Sequence, residues 1–278
     1  FLVGGYIRDI ILGRMTEDVD IVVPSNAIEI GKRISTKFQM KFIVLDKERE
    51  VVRIVMKNIS IDIANQISPT IEGDLKSRDF SINAIAFLFD KMRLLDPLNG
   101  IKDIELHLLR IYSKNNLLDD PLRILRCFRF VSEFNFKIDS KLETFIKQFK
   151  GKLELVSKER INYEIQRIVR GVNALESILL MKKINIFQVK RLNKGSFFID
   201  LKKINYEIFD AVEKERFLPL FFMAQILDVR SLEELNFSKA EIFKIKLLTK
   251  WQMILRKRNI FQLNESERFA FHKELEDI

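Results

Sequence analysis

Cysteine, histidine, tryptophan and proline are scarce in this chain. Cys127 is the only cysteine among 278 residues, so no internal disulfide can form and a reducing, cytoplasmic setting is expected. Two histidines, His107 and His272, leave little for a zinc site. No run of about 18 apolar residues occurs, so no candidate membrane-spanning helix is present. Internal repeats and low-complexity linkers are also missing. Acidic residues are outnumbered: 48 Lys and Arg against 39 Asp and Glu give a net charge of +9, which favours a polyanionic partner, nucleic acid before membrane. Apolar residues are plentiful, at 47% beside 31% charged residues, a globular balance with enough material for more than one core. The chain opens on Phe1 inside a strand pattern, so a preceding segment is expected to be missing, and any targeting peptide with it.

The stretch Phe1 to Val23 reads as strand, turn, short helix, turn, strand. Gly4-Gly5 makes the turn, because glycine enters positive φ freely and lets a ligand approach the backbone. Ile7, Ile10 and Ile11 lie at helical spacing, and Gly13 is a natural stop. In the run Asp18-Val19-Asp20-Ile21, alternation puts Asp18 and Asp20 on one strand face and Val19 and Ile21 on the other. Two neighbouring carboxylates repel unless a cation sits between them. Mg²⁺ is the natural candidate, held by a few carboxylates plus substrate phosphates. The Gly-Gly turn aims backbone N–H groups of a helix start at a phosphate site.

Ser25 is the expected N-cap of a helix over 26–38. Met40 to Leu45 and Val51 to Lys57 read as strands around a charged turn. Ile59 to Ala64 alternates strictly, with the isoleucines toward the core and Asp62 on the opposite face. Beside the strand of Asp18 and Asp20, Asp62 would be a candidate third metal carboxylate; as a surface aspartate it would do nothing. Arg78-Asp79-Phe80-Ser81-Ile82-Asn83-Ala84 reads as a helix start with Ile82, Ile85 and Ala86 behind it. Asp96-Pro97-Leu98-Asn99-Gly100-Ile101-Lys102-Asp103 is rich in turn residues, and beyond it the pattern is helical. Asp119-Asp120-Pro121-Leu122-Arg123-Ile124-Leu125-Arg126 opens a helix, with Asp120 as N-cap, Pro121 at its first position and Arg123 on the face of Asp120. Ser157 and Arg160 open another. Beyond about Val172, the basic pairs Lys182-Lys183, Lys190-Arg191 and Lys202-Lys203 and the run Arg256-Lys257-Arg258 punctuate phenylalanine-rich helical segments. They read as solvated faces, or together as a track for an RNA backbone.

In this order, these stretches resemble motifs A to E of the class II tRNA nucleotidyltransferases and bacterial poly(A) polymerases, which are related to DNA polymerase β. The likeness is specific over residues 1 to about 170. It implies an α+β chain: a polymerase-β-like nucleotidyltransferase head with a small mixed sheet over 1–107, a helical neck over 108–172, and a helical body and tail over 173–278 that hold tRNA. It implies template-independent transfer of a nucleotide, with Asp18 and Asp20 as catalytic carboxylates that hold two Mg²⁺ ions. Nucleotide binding falls to Gly4, Gly5, Arg8, Arg78, Asp79, Asn83, Asp120, Arg123 and Arg126. Among these, Arg78 meets phosphate and Asp79 the ribose, while Asp120 and Arg123 read the Watson–Crick edge of the incoming base. Ser77 replaces the first arginine of the family's motif B, and Asp119 replaces a family glutamate.

Several activities share these motifs. The basic run after motif A that marks poly(A) polymerases is absent, since the corresponding residues read Lys41-Phe42-Ile43-Val44-Leu45-Asp46. Complete CCA-adding enzymes carry a long flexible loop before motif B, whereas here only Asn65 to Ser77 separates Ala64 from Arg78. That shortness resembles CC-adding enzymes. The expected activity is therefore CC addition to tRNA from CTP, followed by complete CCA addition with ATP as well, then A addition alone, then poly(A) synthesis. A non-catalytic RNA-binding protein on the same fold would be expected to lose Asp18 and Asp20 or Asp120 and Arg123, and both pairs are intact. A transferase for small molecules would not need the basic helical half.

Overall fold

The computed structural model describes residues 1–57, 59–192, 211–258 and 260–276. The described chain divides into two compact units. One comprises residues 1–119 and 137–142, the other 120–136 and 143 onward. The expected boundary near residue 107 falls inside the first unit.

The first unit is a seven-stranded sheet with helices on it. Its strands are β1 (Leu2–Val3), β2 (Asp18–Val23), β3 (Lys41–Asp46), β4 (Val51–Met56), β5 (Ile59–Asn65), β6 (Ala86–Leu88) and β7 (Arg93–Leu95). Their order across the sheet is β3-β4-β5-β2-β1-β6-β7. The sheet is mixed, because β2 and β5 run parallel while the other pairs are antiparallel. Helix α1 (Gly5–Ile11) joins β1 to β2, and α2 (Ala27–Phe38) joins β2 to β3. The return from β5 to motif B is made by α3 (Ile71–Ser77).

Both faces of β2 are covered. Ile21 and Val23 pack with Ala27 of α2, Val52, Ile54 and Ile63. Val22, on the face of Asp18 and Asp20, packs with Val3, Ile71 and Leu75 of α3, Ala86 and Leu88. The carboxylate face is thus apolar at one end of the strand and acidic at the other, which fixes the strand register.

Local details depart from the sequence reading. Ser25 does not cap α2; the Asn65 side-chain oxygen, from the end of β5, accepts the Ala27 N–H at 2.9 Å. Motif B does not open an α-helix. Arg78 closes α3 in an extended conformation, Ser81–Asn83 forms a single 3-10 turn, and the chain then enters β6. The later chain is not purely helical either, since β8 (Leu108–Leu109) pairs in parallel with β9 (Lys137–Ile138). Helices α4 (Gly100–Glu105) and α5 (Lys114–Asp119) complete the first unit.

In the second unit, α6 (Arg123–Phe134) packs on α8 (Lys158–Arg170) and α9 (Ala174–Lys183). Phe128, Ile161, Ile165, Ile168 and Ile178 are fully buried there. Helix α8 also packs on α10 (Ala211–Ile226), which meets α12 (Lys239–Lys257); α11 (Val229–Glu234) and α13 (Glu265–Glu276) pack on α12. Helix α7 (Ser140–Phe149) follows β9. Among the described residues, no helix is long and apolar enough to cross a membrane.

Candidate active site

Antiparallel pairing sets Val3 against Asp20, so the turn after β1 lies beside that carboxylate. Gly4 has φ +73° and ψ −136°, a region open to glycine alone. A Cβ there would lie 2.9 Å from Arg78 Nη1 and 3.1 Å from Asp20 Oδ2. The Gly5 N–H donates to the Asp20 carboxylate. Gly4, Gly5, Asp20 and Arg78 therefore meet at one point.

Parallel pairing sets Asp18 against Ser60 and Asp20 against Asp62. Burial pushes the Asp20 carboxyl above its ordinary value; Arg78 pulls it down, and Asp62 and Asp18 push it up again. A half-buried carboxylate crowded by two others favours a cation. Asp62 has a partner that the sequence reading missed. Arg53, its antiparallel neighbour on β4, donates from Nε to Oδ1 at 2.7 Å and from Nη2 to Oδ2 at 2.8 Å. The pairing needs the register of β4 against β5, which the sequence does not signal. Among the described residues, no group of three or more acidic, histidine or cysteine side chains converges as a metal cage. Asp18 and Asp20 alone suit Mg²⁺, which takes one or two carboxylates and completes its shell with water and substrate phosphates.

Behind this point lies a buried polar chain. Arg8 is 8% exposed. Its Nη1 donates to Asn83 Oδ1 at 2.7 Å, and its Nε and Nη2 meet Asp9. Asn83 Nδ2 donates to Asp79 Oδ1 at 2.9 Å, which also accepts the Phe80 N–H. The structure thus joins Arg8, Asn83 and Asp79 into one network. The 3-10 turn beneath them is anchored by motif C: Ser81 Oγ donates to the buried Asp103 at 2.5 Å, and Asp96 accepts the N–H groups of Gly100 and Ile101.

In the second unit, Asp120 Oδ1 accepts the Leu122 N–H at 3.2 Å, and its Oδ2 accepts Arg160 Nη2 at 2.8 Å. Asp120 thus shapes the approach to α6, which begins at Arg123 and not at Pro121. Arg123 and Arg126 share a face of α6, with the Arg126 guanidinium 6.0 Å from the Phe130 ring centre. Arg160, at the motif E helix start, fixes the carboxylate of the expected template pair. One turn on, Arg129 and Glu164 form a buried ion pair at 3.1 Å between α6 and α8.

The basic residues of the C-terminal half differ in role. Lys182, Lys183 and Lys190 are exposed, whereas Arg191 donates to the Val156 carbonyl. Arg258 pairs with Glu267 at 2.8 Å. Lys202 and Lys203, and the side chain of Arg256, lie outside the described residues.

Residues 1–110 match the poly A polymerase head domain. Residues 135–190 match a domain described as the probable RNA- and SrmB-binding site of polymerase A. A CC-adding tRNA nucleotidyltransferase of Synechocystis is 38% identical over 170 residues, which cover 60% of this chain and 41% of that protein. An A-adding tRNA nucleotidyltransferase of Deinococcus radiodurans is 32% identical over 193 residues, covering 68% and 44%. The chain therefore spans well under half the length of these curated relatives. A CCA-adding enzyme of Thermotoga maritima, solved in complex with tRNA, superposes with a TM-score of 0.76 at 29% identity over 92% of this chain and 66% of that one. Head domain and relatives agree: the chain carries a poly A polymerase head domain and is similar to tRNA nucleotidyltransferases.

Proposed function

We propose that this chain transfers CMP from CTP to the 3′ end of tRNA without a nucleic-acid template and stops after two additions. The observation that carries the transfer is the meeting of Asp20, Gly4, Gly5 and Arg78 beside Asp18. The observation that favours stopping at CC is the connection from β5 to Arg78, which holds five residues and the seven-residue α3.

Asp18 and Asp20 would hold two Mg²⁺ ions, which when bound supply an activated 3′-hydroxyl and stabilise the departing pyrophosphate. The chain's own residues position the reactants, which carries most of the rate in phosphoryl-type chemistry. Gly4 lets the triphosphate approach the backbone, and Arg78 supplies a cation to its phosphates. Asp79 accepts from the ribose, held in place by Asn83 and, through Asn83, by Arg8. Asp120 and Arg123 read the base, since a carboxylate accepts from cytosine N4 while a guanidinium donates to O2 and N3. Arg126 adds positive charge on the same helix face. Residues 108–172 serve as the neck that carries this template, and 173–278 as a body that binds tRNA through its phosphates.

An A-adding relative at 32% identity favours a second reading, addition of a single AMP to tRNA that already ends in CC. Incorporation of labelled CTP or ATP into tRNA lacking CCA tests the proposal. CMP incorporation that Asp20→Asn abolishes supports it; no incorporation of either nucleotide refutes it.

A further inference from the structure

We infer that Asp74 is a positioning residue that aims Arg78 at the nucleotide phosphates and ties the short β5–α3 connection to that same arginine. The inference rests on the proposed role of Arg78. The Asp74 side chain is 5% exposed, and its two oxygens face two different donors. Oδ2 accepts Arg78 Nε at 3.2 Å, and Oδ1 accepts the Ile67 N–H at 3.1 Å. Arg78 Nη1 meanwhile reaches Gly4 beside Asp20. The carboxylate therefore holds the inner edge of the guanidinium while the outer edge lies at the candidate phosphate site.

The connection is closely tied as well. Gln66 Nε2 donates to the Ser68 carbonyl at 3.2 Å. Thr70 caps α3 by accepting the Gly73 N–H at 3.1 Å. A Cβ at Gly73 would run into Ser68 Oγ, so the turn folds directly onto the helix. Residues 66–70 are held against α3 by the side chain that orients Arg78.

Asn116 holds the arginine's backbone. It is 3% exposed, and its Nδ2 donates to the carbonyls of Lys76 at 2.8 Å and Arg78 at 2.7 Å. Its own oxygen accepts the Ser113 N–H at 3.1 Å. Side chain and main chain of Arg78 are thus fixed from two directions. A free arginine side chain samples many rotamers, and fixing it before the nucleotide arrives removes much of that ordering cost from binding.

Asp74→Asn separates positioning from general damage. An amide offers one acceptor, and its NH₂ would face the second donor, so either Arg78 or Ile67 loses its partner at a side chain that is itself buried. Calorimetry on the chain should show binding of a non-hydrolysable CTP analogue weakened about ten-fold, while CMP, which lacks the outer phosphates, changes less than about two-fold. Asn116→Ala, which loosens the same arginine from the other side, should show the same selective loss. In an Arg78→Gln background Asp74→Asn should add little, because coupled residues are not additive. Equal losses for CTP and CMP, no loss for CTP, or full additivity with Arg78→Gln would overturn the inference. Failure of the unaltered chain to bind the CTP analogue would instead overturn the functional proposal on which it rests.

Discussion

Asp20 and Asp62 stand directly opposite each other on parallel neighbouring strands, and Arg53 engages both oxygens of Asp62. A carboxylate bound bidentately to arginine has few lone pairs left for a metal ion. Asp20 keeps the cation-seeking character, pressed by burial and by its two acidic neighbours. Asp20→Asn should therefore lower CMP incorporation by about 10³-fold, the loss of several kcal/mol of charge stabilisation. Asp62→Asn should cost far less, about ten-fold or under. Steady-state rates with saturating Mg²⁺ check the ranking, and a reversed order would make Asp62 the principal ligand.

Gly4→Ala should cost about 1–3 kcal/mol of stability and most of the activity. The backbone there is closed to other residues, and the added methyl would press on Arg78 Nη1 and Asp20 Oδ2. Thermal melting and single-turnover rates measure the two effects. A Gly4→Ala chain with unchanged melting and unchanged rate would place the phosphate turn elsewhere.

Much of the head was legible because its signals are local. Alternation gave β2 and β5, and Asp18 and Asp20 fall on one face as read. Gly13 ends α1 with φ +69°. Signals that need distant partners were not legible. Asn65 caps α2 from 38 residues away, so Ser25, the local candidate, was the wrong choice. Motif B has the apolar spacing of a helix, but Ser81 is held by Asp103 and its N–H by the Arg110 carbonyl, which keeps the turn short and sends the chain into β6. Arg53, Asp74 and Asn116 carry no motif, and their roles follow only from register and burial. Asp120 was read as a cap and a template residue; its bond to Arg160, 40 residues on, explains why a motif E helix start belongs with it.

The Arg129–Glu164 pair predicts a large asymmetry. Arg129 is 6% exposed and Glu164 2%; burial pulls the arginine down and pushes the glutamate up from their ordinary values. Glu164→Gln leaves the arginine charge buried without its counterion, and should cost about 3–5 kcal/mol. Replacing both by apolar residues, Arg129→Met with Glu164→Leu, should come close to neutral. Denaturant midpoints distinguish the cases. A double variant no more stable than Glu164→Gln would show that the pair is held by more than charge balance.

A buried carboxyl also sets a pH dependence. Burial raises Asp103 above its ordinary value. The folded state thus binds this proton more tightly than the unfolded state, and stability rises as pH falls through the raised folded value toward the unfolded one. Glu143 is lowered by its hydrogen bond from Lys147, so its contribution is lost as pH falls below the unfolded value. The melting temperature should hold or rise from pH 7 to about 5 and fall below about pH 4. Asp103→Asn should flatten the rise. A steady fall from pH 7 downward would contradict the assignment.

The most direct test supplies the chain with tRNA ending at the discriminator base, CTP and ATP together, and sequences the 3′ ends. On the proposed reading, Asp120, held by Arg160, and Arg123 pair with the edge of cytosine. An adenine edge would leave buried polar groups unpaired, a strong basis for rejection. The expected products end in CC, with little AMP beyond it even when ATP is abundant. Products completed to CCA, or AMP added only to tRNA already ending in CC, would contradict it.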